Sequence, residues 1–201
     1  VDGDTSTNDS LVILANGNAG NKEITEENEN FKKFLQALNL LNTQMAKKIA
    51  ADGEGATRLV TCSVKGASDE KTARSLAKAV ISSNLVKAAV FGSDANWGRV
   101  LCAMGYSGFN FTPEKTTVFF SSTKGALRYF DETKEETGVK QEIKVFENGV
   151  PLNFDEEKAK QILSEQAVQI DVILKDGNAE GTAWGCDLTY DYVKINGDYR
   201  T

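Results

Sequence analysis

The dipeptide Asn148-Gly149 stands between the apolar runs IKVF and VPLNF, and it limits the folds open to this chain more than any other feature. Asn-Gly in that setting marks the two-residue turn of an antiparallel hairpin, because both residues tolerate positive φ. Elsewhere helix-like and strand-like patterns interleave, which alone would suit a parallel sheet with crossover helices. The hairpin, and two neighbouring strand patterns near the end (Val168–Leu174 and Ala183–Ile195, joined by KDGNAEGT), exclude a wholly parallel sheet. The expectation is an α+β fold, a layered α/β sandwich with mixed or antiparallel sheets. There is no internal repeat or low-complexity linker and there are only two prolines, so residues 1–201 read as one unit.

Leu11–Ala15 (LVILA) is a continuous apolar run that stops at NGNAGN and reads as a buried strand. Thr25 stands ahead of a long amphipathic helix in which Phe31, Phe34, Leu35, Leu38, Leu41, Met45 and Ile49 share one face, with Gly53 as its stop. Arg58–Lys65 alternates like a half-buried strand, and Ser68 caps a helix whose apolar face carries Ala73, Leu76, Ala77, Val80 and Ile81. Leu85–Phe91 reads as another strand, NWGRVLCAMGYSG as a helix bounded by glycines, Thr116–Ser121 as a strand, and Glu156–Ser164 as a helix. Phe130–Gln141 is dominated by charge and reads as solvated surface.

A formal net charge of −6 gives no broad attraction for nucleic acid or an anionic membrane, and a small cationic substrate group suits it better. No apolar run approaches the ~20 residues needed to cross a bilayer, and Val1–Ser10 lacks the features of a signal peptide; the chain reads as cytoplasmic. Cys62, Cys102 and Cys186 are odd in number, far apart and set in apolar patterns, which predicts reduced, buried thiols. Histidine is absent, so the chain by itself supplies neither a Ser-His-Asp nor a Cys-His arrangement, nor the commonest zinc ligands. A threonine activated by its own α-amino group needs no histidine.

Three loops concentrate polar chemistry. VDGDTSTND at 1–9 suits a turn held by side-chain hydrogen bonds; Asp2, Asp4 and Asp9 offer oxygen ligands, but the spacing of a calcium loop is missing and no metal is expected. DGEGATR at 52–58 sets Glu54 between two glycines, either as a plain helix-ending loop or as a carboxylate that a ligand can approach closely. In GSDANWGR at 92–99, Asp94 or Asn96 is placed to cap a helix, Trp97 to cover the core and Arg99 to meet an acid. None of these matches a dinucleotide fingerprint or a P-loop.

Taken together, VDGDTSTND, DGEGATR, LVKAAVFGSDANWGR, GYSG and the ending TAWGCDLTYDYVKINGDYRT resemble the β chain of ornithine acetyltransferase, the glutamate N-acetyltransferase of arginine biosynthesis. The resemblance spans nearly the whole length and is weakest over about 116–144, which reads as a surface insertion. It implies an N-terminal-nucleophile-like fold from a precursor that cleaves itself into α and β chains. It also implies acetyl transfer from N-acetylornithine to glutamate through an acetyl-threonine intermediate. Residue 1 is Val1, so the resemblance puts the nucleophilic threonine upstream of Val1 and the oxyanion hole in the α chain, leaving no catalytic residue here. By the same resemblance Glu54, Asn196 and Thr201 are substrate-binding, with a strand Thr189–Ile195 delivering the last two. The partner is an α chain in an α2β2 heterotetramer. No metal or organic cofactor is implied; acetyl-CoA is a co-substrate in some family members. Two further readings are a non-catalytic amino-acid-binding or scaffold protein of the same fold, and a related self-cleaving amidase or peptidase.

Overall fold

A computed structural model of the chain describes residues 1–4, 9–129 and 138–198. Its centre is a six-stranded sheet in the order β4-β3-β2-β5-β1-β6. Strand β1 (Leu59–Ala67) is parallel to β5 (Ala167–Ile173) and antiparallel to β6 (Ala179–Cys186). Strand β2 (Thr117–Thr123) runs antiparallel to β5 and to β3 (Lys140–Glu147), which turns into the short β4 (Val150–Pro151). Asn148 and Gly149 sit at the turn with φ of 48° and 82°, as the dipeptide predicts. One parallel pair among antiparallel neighbours makes the sheet mixed and the fold α+β.

The pleat of β1 sends Val60, Cys62 and Val64 into the main core beside Val168, Ile170 and Val172 of β5, their register partners. Helices α2 (Glu70–Ser82), α4 (Trp97–Gly105) and α5 (Glu156–Leu163) complete that core with Leu76, Val80, Val100, Met104, Ile162 and Leu163. Helix α2 lies so close to β6 that a Cβ on Gly181 would fall 2.5 Å from the backbone nitrogen of Arg74. Only glycine permits that approach.

Helix α1 (Glu29–Ala51) forms where the periodicity places it, but its cap is Asn28, whose side chain accepts from the backbone N–H groups of Asn30 and Phe31. Its apolar face is not buried: Ala50 and Ala51 alone are enclosed, with Leu59 and Trp184, while Phe34 and Leu41 are 60% and 52% exposed. Leu11–Ala15 is not a strand. A strand exists through its ladder partners, and this run has none among the described residues, leaving Leu14 91% exposed.

Three further expectations are corrected. Leu85–Phe91 is not a strand but most of helix α3 (Asn84–Phe91), capped by Ser83 and burying Val86, Ala89 and Val90 at helical spacing. The cap of α2 is Asp69, which accepts from the Thr72 N–H, with Ser68 bonded to the Asp69 carboxylate. Strand β6 ends at Cys186, and Thr189–Ile195 enters helix α6 (Tyr190–Asp198) instead. The Thr189 hydroxyl accepts from the Tyr192 N–H at 3.2 Å and so opens that helix, while the alternation of Tyr190 and Tyr192 about Asp191 is incidental.

The surface insertion over 116–144 also shrinks, because β2 lies inside the sheet with Val118 and Phe120 in the core, and residues 140–144 belong to β3. Of the charged stretch 130–141, residues 130–137 lie outside the described residues. Cys62 and Cys186 are buried, whereas Cys102 is exposed.

Candidate functional site

Glu54 stands in the turn between α1 and β1. A Cβ on Gly53 would fall 2.7 Å from Cys186 Sγ and 2.9 Å from Val1 Cγ1, and one on Gly55, at φ 64°, 2.7 Å from the backbone nitrogen of Tyr192. The glycines therefore admit protein, not ligand: they let Val1, the end of β6 and the start of α6 close on the turn. The Glu54 side chain itself stays exposed.

Asn196, 142 residues away, donates from Nδ2 to Glu54 Oε2 at 2.7 Å and to the Tyr192 carbonyl at 3.0 Å. Two residues that the sequence singled out are thus brought into direct contact. Thr201, the third, lies outside the described residues.

Asp187 fixes this pairing from below. Its Oδ1 accepts from the backbone N–H groups of Thr57 and Arg58 at 2.8 and 2.9 Å, and its Oδ2 accepts from the Thr57 hydroxyl at 2.5 Å and faces the Arg58 guanidinium at 3.5 Å. Asp187 lies between β6 and α6, so one buried carboxylate ties the Glu54 turn to the segment that leads into α6. Thr189 adds a second tie, donating its hydroxyl to the Gly55 carbonyl at 2.8 Å.

The opening residues join the same place. Tyr192 donates its hydroxyl to Asp2 Oδ2 at 3.0 Å, and the Asp4 N–H reaches Asp2 Oδ1 at 2.9 Å. The Asp4 N–H, with help from the tyrosine, holds the Asp2 carboxyl below the usual carboxylate range. Partial burial, then the bond to Asp2 and the nearby charges of Asp2, Asp4 and Glu54, push the Tyr192 hydroxyl up. None of these three carboxylates belongs to an ion pair among the described residues. The corner can therefore receive an ammonium group from a ligand through charge-assisted hydrogen bonds. Among the described residues no group of three acidic or thiol side chains is placed to hold a metal ion.

Helix α3 contributes a buried lysine. Lys87, 2% exposed, donates from Nζ to the Val1 carbonyl at 2.5 Å and to Cys186 Sγ at 3.4 Å. From the next loop, Asn96 caps α4 by accepting from the Arg99 N–H, and Trp97 stacks on Phe146 with centroids 4.9 Å apart. Arg99 meets the Leu85 carbonyl, not an acid.

The residue reading missed Asp187, Lys87 and Tyr192. Asp187 follows an apolar strand directly, where a lone acid signals an anchor. Lys87 was hidden by the strand reading of LVKAAVF; helical spacing of Val86, Ala89 and Val90 places it on the buried side.

A family model described as the ArgJ family matches residues 1–201. The chain is 52% identical over its full length to the arginine biosynthesis bifunctional protein ArgJ 1 of Clostridium acetobutylicum, covering 45% of that protein. It is 45% identical over its full length to the mitochondrial arginine biosynthesis bifunctional protein ArgJ of Schizosaccharomyces pombe, covering 42% of it. The crystal structure of arginine biosynthesis bifunctional protein argJ from Bacillus halodurans superposes with a TM-score of 0.82 at 42% identity, over 99% of this chain and 84% of that one. An α+β fold with an acid- and amide-bearing corner defines the class, and the chain belongs to the ArgJ family. It spans about half the length of the curated relatives it matches.

Proposed function

We propose that this chain is the β portion of a glutamate N-acetyltransferase of arginine biosynthesis and supplies the substrate-binding wall of a site shared with an α chain. The observation that carries the reading is the 2.7 Å contact between Asn196 and Glu54, which unites two positions matched independently to the ornithine acetyltransferase pattern. The names of the relatives agree, since they are arginine biosynthesis bifunctional proteins.

In this reading a threonine outside these 201 residues attacks the acetamide carbonyl of N-acetylornithine. The C–N bond breaks, the proton passes to the departing ornithine nitrogen through the threonine's α-amino group, and an acetyl-threonine ester remains. The amine of glutamate then attacks that ester, giving N-acetylglutamate and restoring the hydroxyl. These residues bind and orient: Glu54 receives a substrate ammonium, Asn196, whose Nδ2 is engaged by Glu54 and the Tyr192 carbonyl, offers its Oδ1 as acceptor to the amino-acid end, and Thr201, outside the described residues, is the third substrate-binding position of the family pattern. No metal or organic cofactor takes part, and acetyl-CoA is a second acetyl donor where the bifunctional activity holds.

The uncovered apolar face of α1, with Phe34, Leu35 and Leu41 between 41% and 60% exposed, supports an α chain as partner, paired again into an α2β2 assembly. A cytoplasmic place agrees with the finding that, among the described residues, no helix is long and apolar enough to cross a membrane.

The test is an assay of the full-length polypeptide with N-acetylornithine plus glutamate, then with acetyl-CoA plus glutamate. Acetyl transfer to glutamate in the first assay is expected. Hydrolysis of the amide without transfer would replace this reading with the amidase. Binding of N-acetylornithine without either reaction would leave a binding protein.

A further inference from the structure

We propose that Lys87, Asp2 and Tyr192 form a brace that positions Asn196 against Glu54. None of the three needs to touch the reacting atoms. The kinetic part of this inference rests on the transferase reading; the structural part does not.

Helix α6 needs such a brace. Among its described residues none is buried, and Tyr190 and Val193 are 83% and 65% exposed. A nine-residue helix is marginal in water without an apolar face packed on a core. Among the described residues its ring contact is an edge-on one, Tyr190 against Phe91, with centroids 5.4 Å apart. Its remaining anchors are polar: Thr189 to the Gly55 carbonyl, Tyr192 to Asp2, and Asn196 to Glu54. The Thr189 anchor fixes where α6 starts but leaves its direction free. The Tyr192 hydroxyl, one turn before Asn196, fixes the direction.

That hydroxyl is bonded to a segment without regular structure, so something must hold the segment. Lys87 does so. Its ammonium is removed from water, where an ion without acceptors is costly, and among the described residues no carboxylate lies in salt-bridge range of it. The Val1 carbonyl and Cys186 Sγ serve as its acceptors. Val1 Cγ1 also lies 2.9 Å from where a Cβ on Gly53 would be, so Val1 packs on the turn that carries Glu54. Both members of the Glu54–Asn196 pair are therefore referenced to one amine in the core: Glu54 through Gly53 and Val1, Asn196 through Val1, Asp2 and Tyr192.

The experiment uses the full-length polypeptide and two readouts, amide hydrogen exchange over residues 190–198 and the split between KM and kcat for N-acetylornithine. Tyr192→Phe and Asp2→Ala each remove one half of the same bond. Each is expected to speed exchange in α6 and to raise KM about tenfold, the scale of a lost hydrogen bond to a charged group, with kcat within about twofold. The double variant is expected to be no worse than either single one. Asp2→Asn keeps an acceptor for the hydroxyl and is expected to restore the protection of α6. Lys87→Met is expected to loosen residues 1–4 and 190–198 together, and Lys87→Arg to loosen them less. If Lys87→Met fails to fold, the Tyr192 and Asp2 variants still decide. Unchanged exchange in α6 after Tyr192→Phe, or additive losses in the double variant, would overturn the brace. A wild-type protein without transferase activity would end the functional reading, while the exchange measurements would still judge the brace.

Discussion

Helix α2 places Leu76, Ala77 and Val80 in the main core at 0% exposure, whereas α1, with 23 residues to its 13, encloses only the two alanines at its end. Both helices carry an apolar stripe at helical spacing. The difference lies in how closely the sheet is approached: α2 lies over β1 and β6, with Gly181 allowing contact at backbone distance, while α1 meets the same two strands and buries only Ala50 and Ala51. An apolar stripe states what a helix must cover, and the rest of the fold decides whether the cover is present. The same contrast separates the two short apolar runs at 11–15 and 58–65, one exposed, the other paired on both sides.

The comparison can be broken by substitution, beginning with the largest effects. On the packed side, Leu76→Ala is expected to cost about 2–5 kcal/mol of stability in chemical denaturation, through lost burial and the cavity left behind. Asp187→Ala should cost about 3–5 kcal/mol, because it leaves Arg58 and two backbone N–H groups without their carboxylate. On the open side, the proposed α chain makes Leu41→Ala costly in the assembled protein, by more than the ~0.5 kcal/mol typical of exposed positions. A loss below that value would mean that this face of α1 meets water.

At the site, Glu54→Ala is expected to lower kcat/KM for N-acetylornithine by about 1–3 kcal/mol, read from steady-state kinetics. An unchanged value would remove Glu54 from the pocket. A smaller contrast distinguishes the cysteines. Complete burial, and then the charge of Asp171, push the Cys62 thiol far above its ordinary range, so a thiol reagent should label exposed Cys102 and spare Cys62 in the native protein.

The smallest effect is in the pH dependence of the Asp2–Tyr192 contact. The Asp2 carboxyl is held low, so its contribution is present at neutral pH and lost as the pH falls below about 4. The Tyr192 hydroxyl is held high, so its contribution is present at neutral pH and lost as the pH rises above about 10. The protection factors of the α6 amides, with the intrinsic pH dependence of exchange divided out, should therefore be highest between those limits, and protection that does not change with pH would deny the contact a role in holding the helix.

The hairpin, the helix at 70–82 and the strands at 59–67 and 167–173 were legible because local rules and tertiary packing agree there. Leu85–Phe91 was not, since a seven-residue apolar run fits a buried strand as well as a buried helix until the Ser83 cap is weighed. The tyrosines after Thr189 imitate a strand because alternation over a few residues is a weak signal, and the cap decides. Of the candidate corner, Glu54 and Asn196 were singled out through the family pattern and Asp2 only as a possible oxygen ligand. Lys87 and Tyr192 were not, because their contact depends on a path through Val1 that no sequence window contains.

The placement of β1 has a consequence for how the chain is made. Both neighbours of β1 come from the last third of the sequence, with Cys62 opposite Ile170 on one side and Ala183 on the other. During synthesis β1 emerges with two bare edges and waits roughly a hundred residues for β5, so its ladder closes only after a large loop has formed. A chain halted before Ala167 presents that apolar ribbon to any other strand it meets, and such products should aggregate where the finished chain does not.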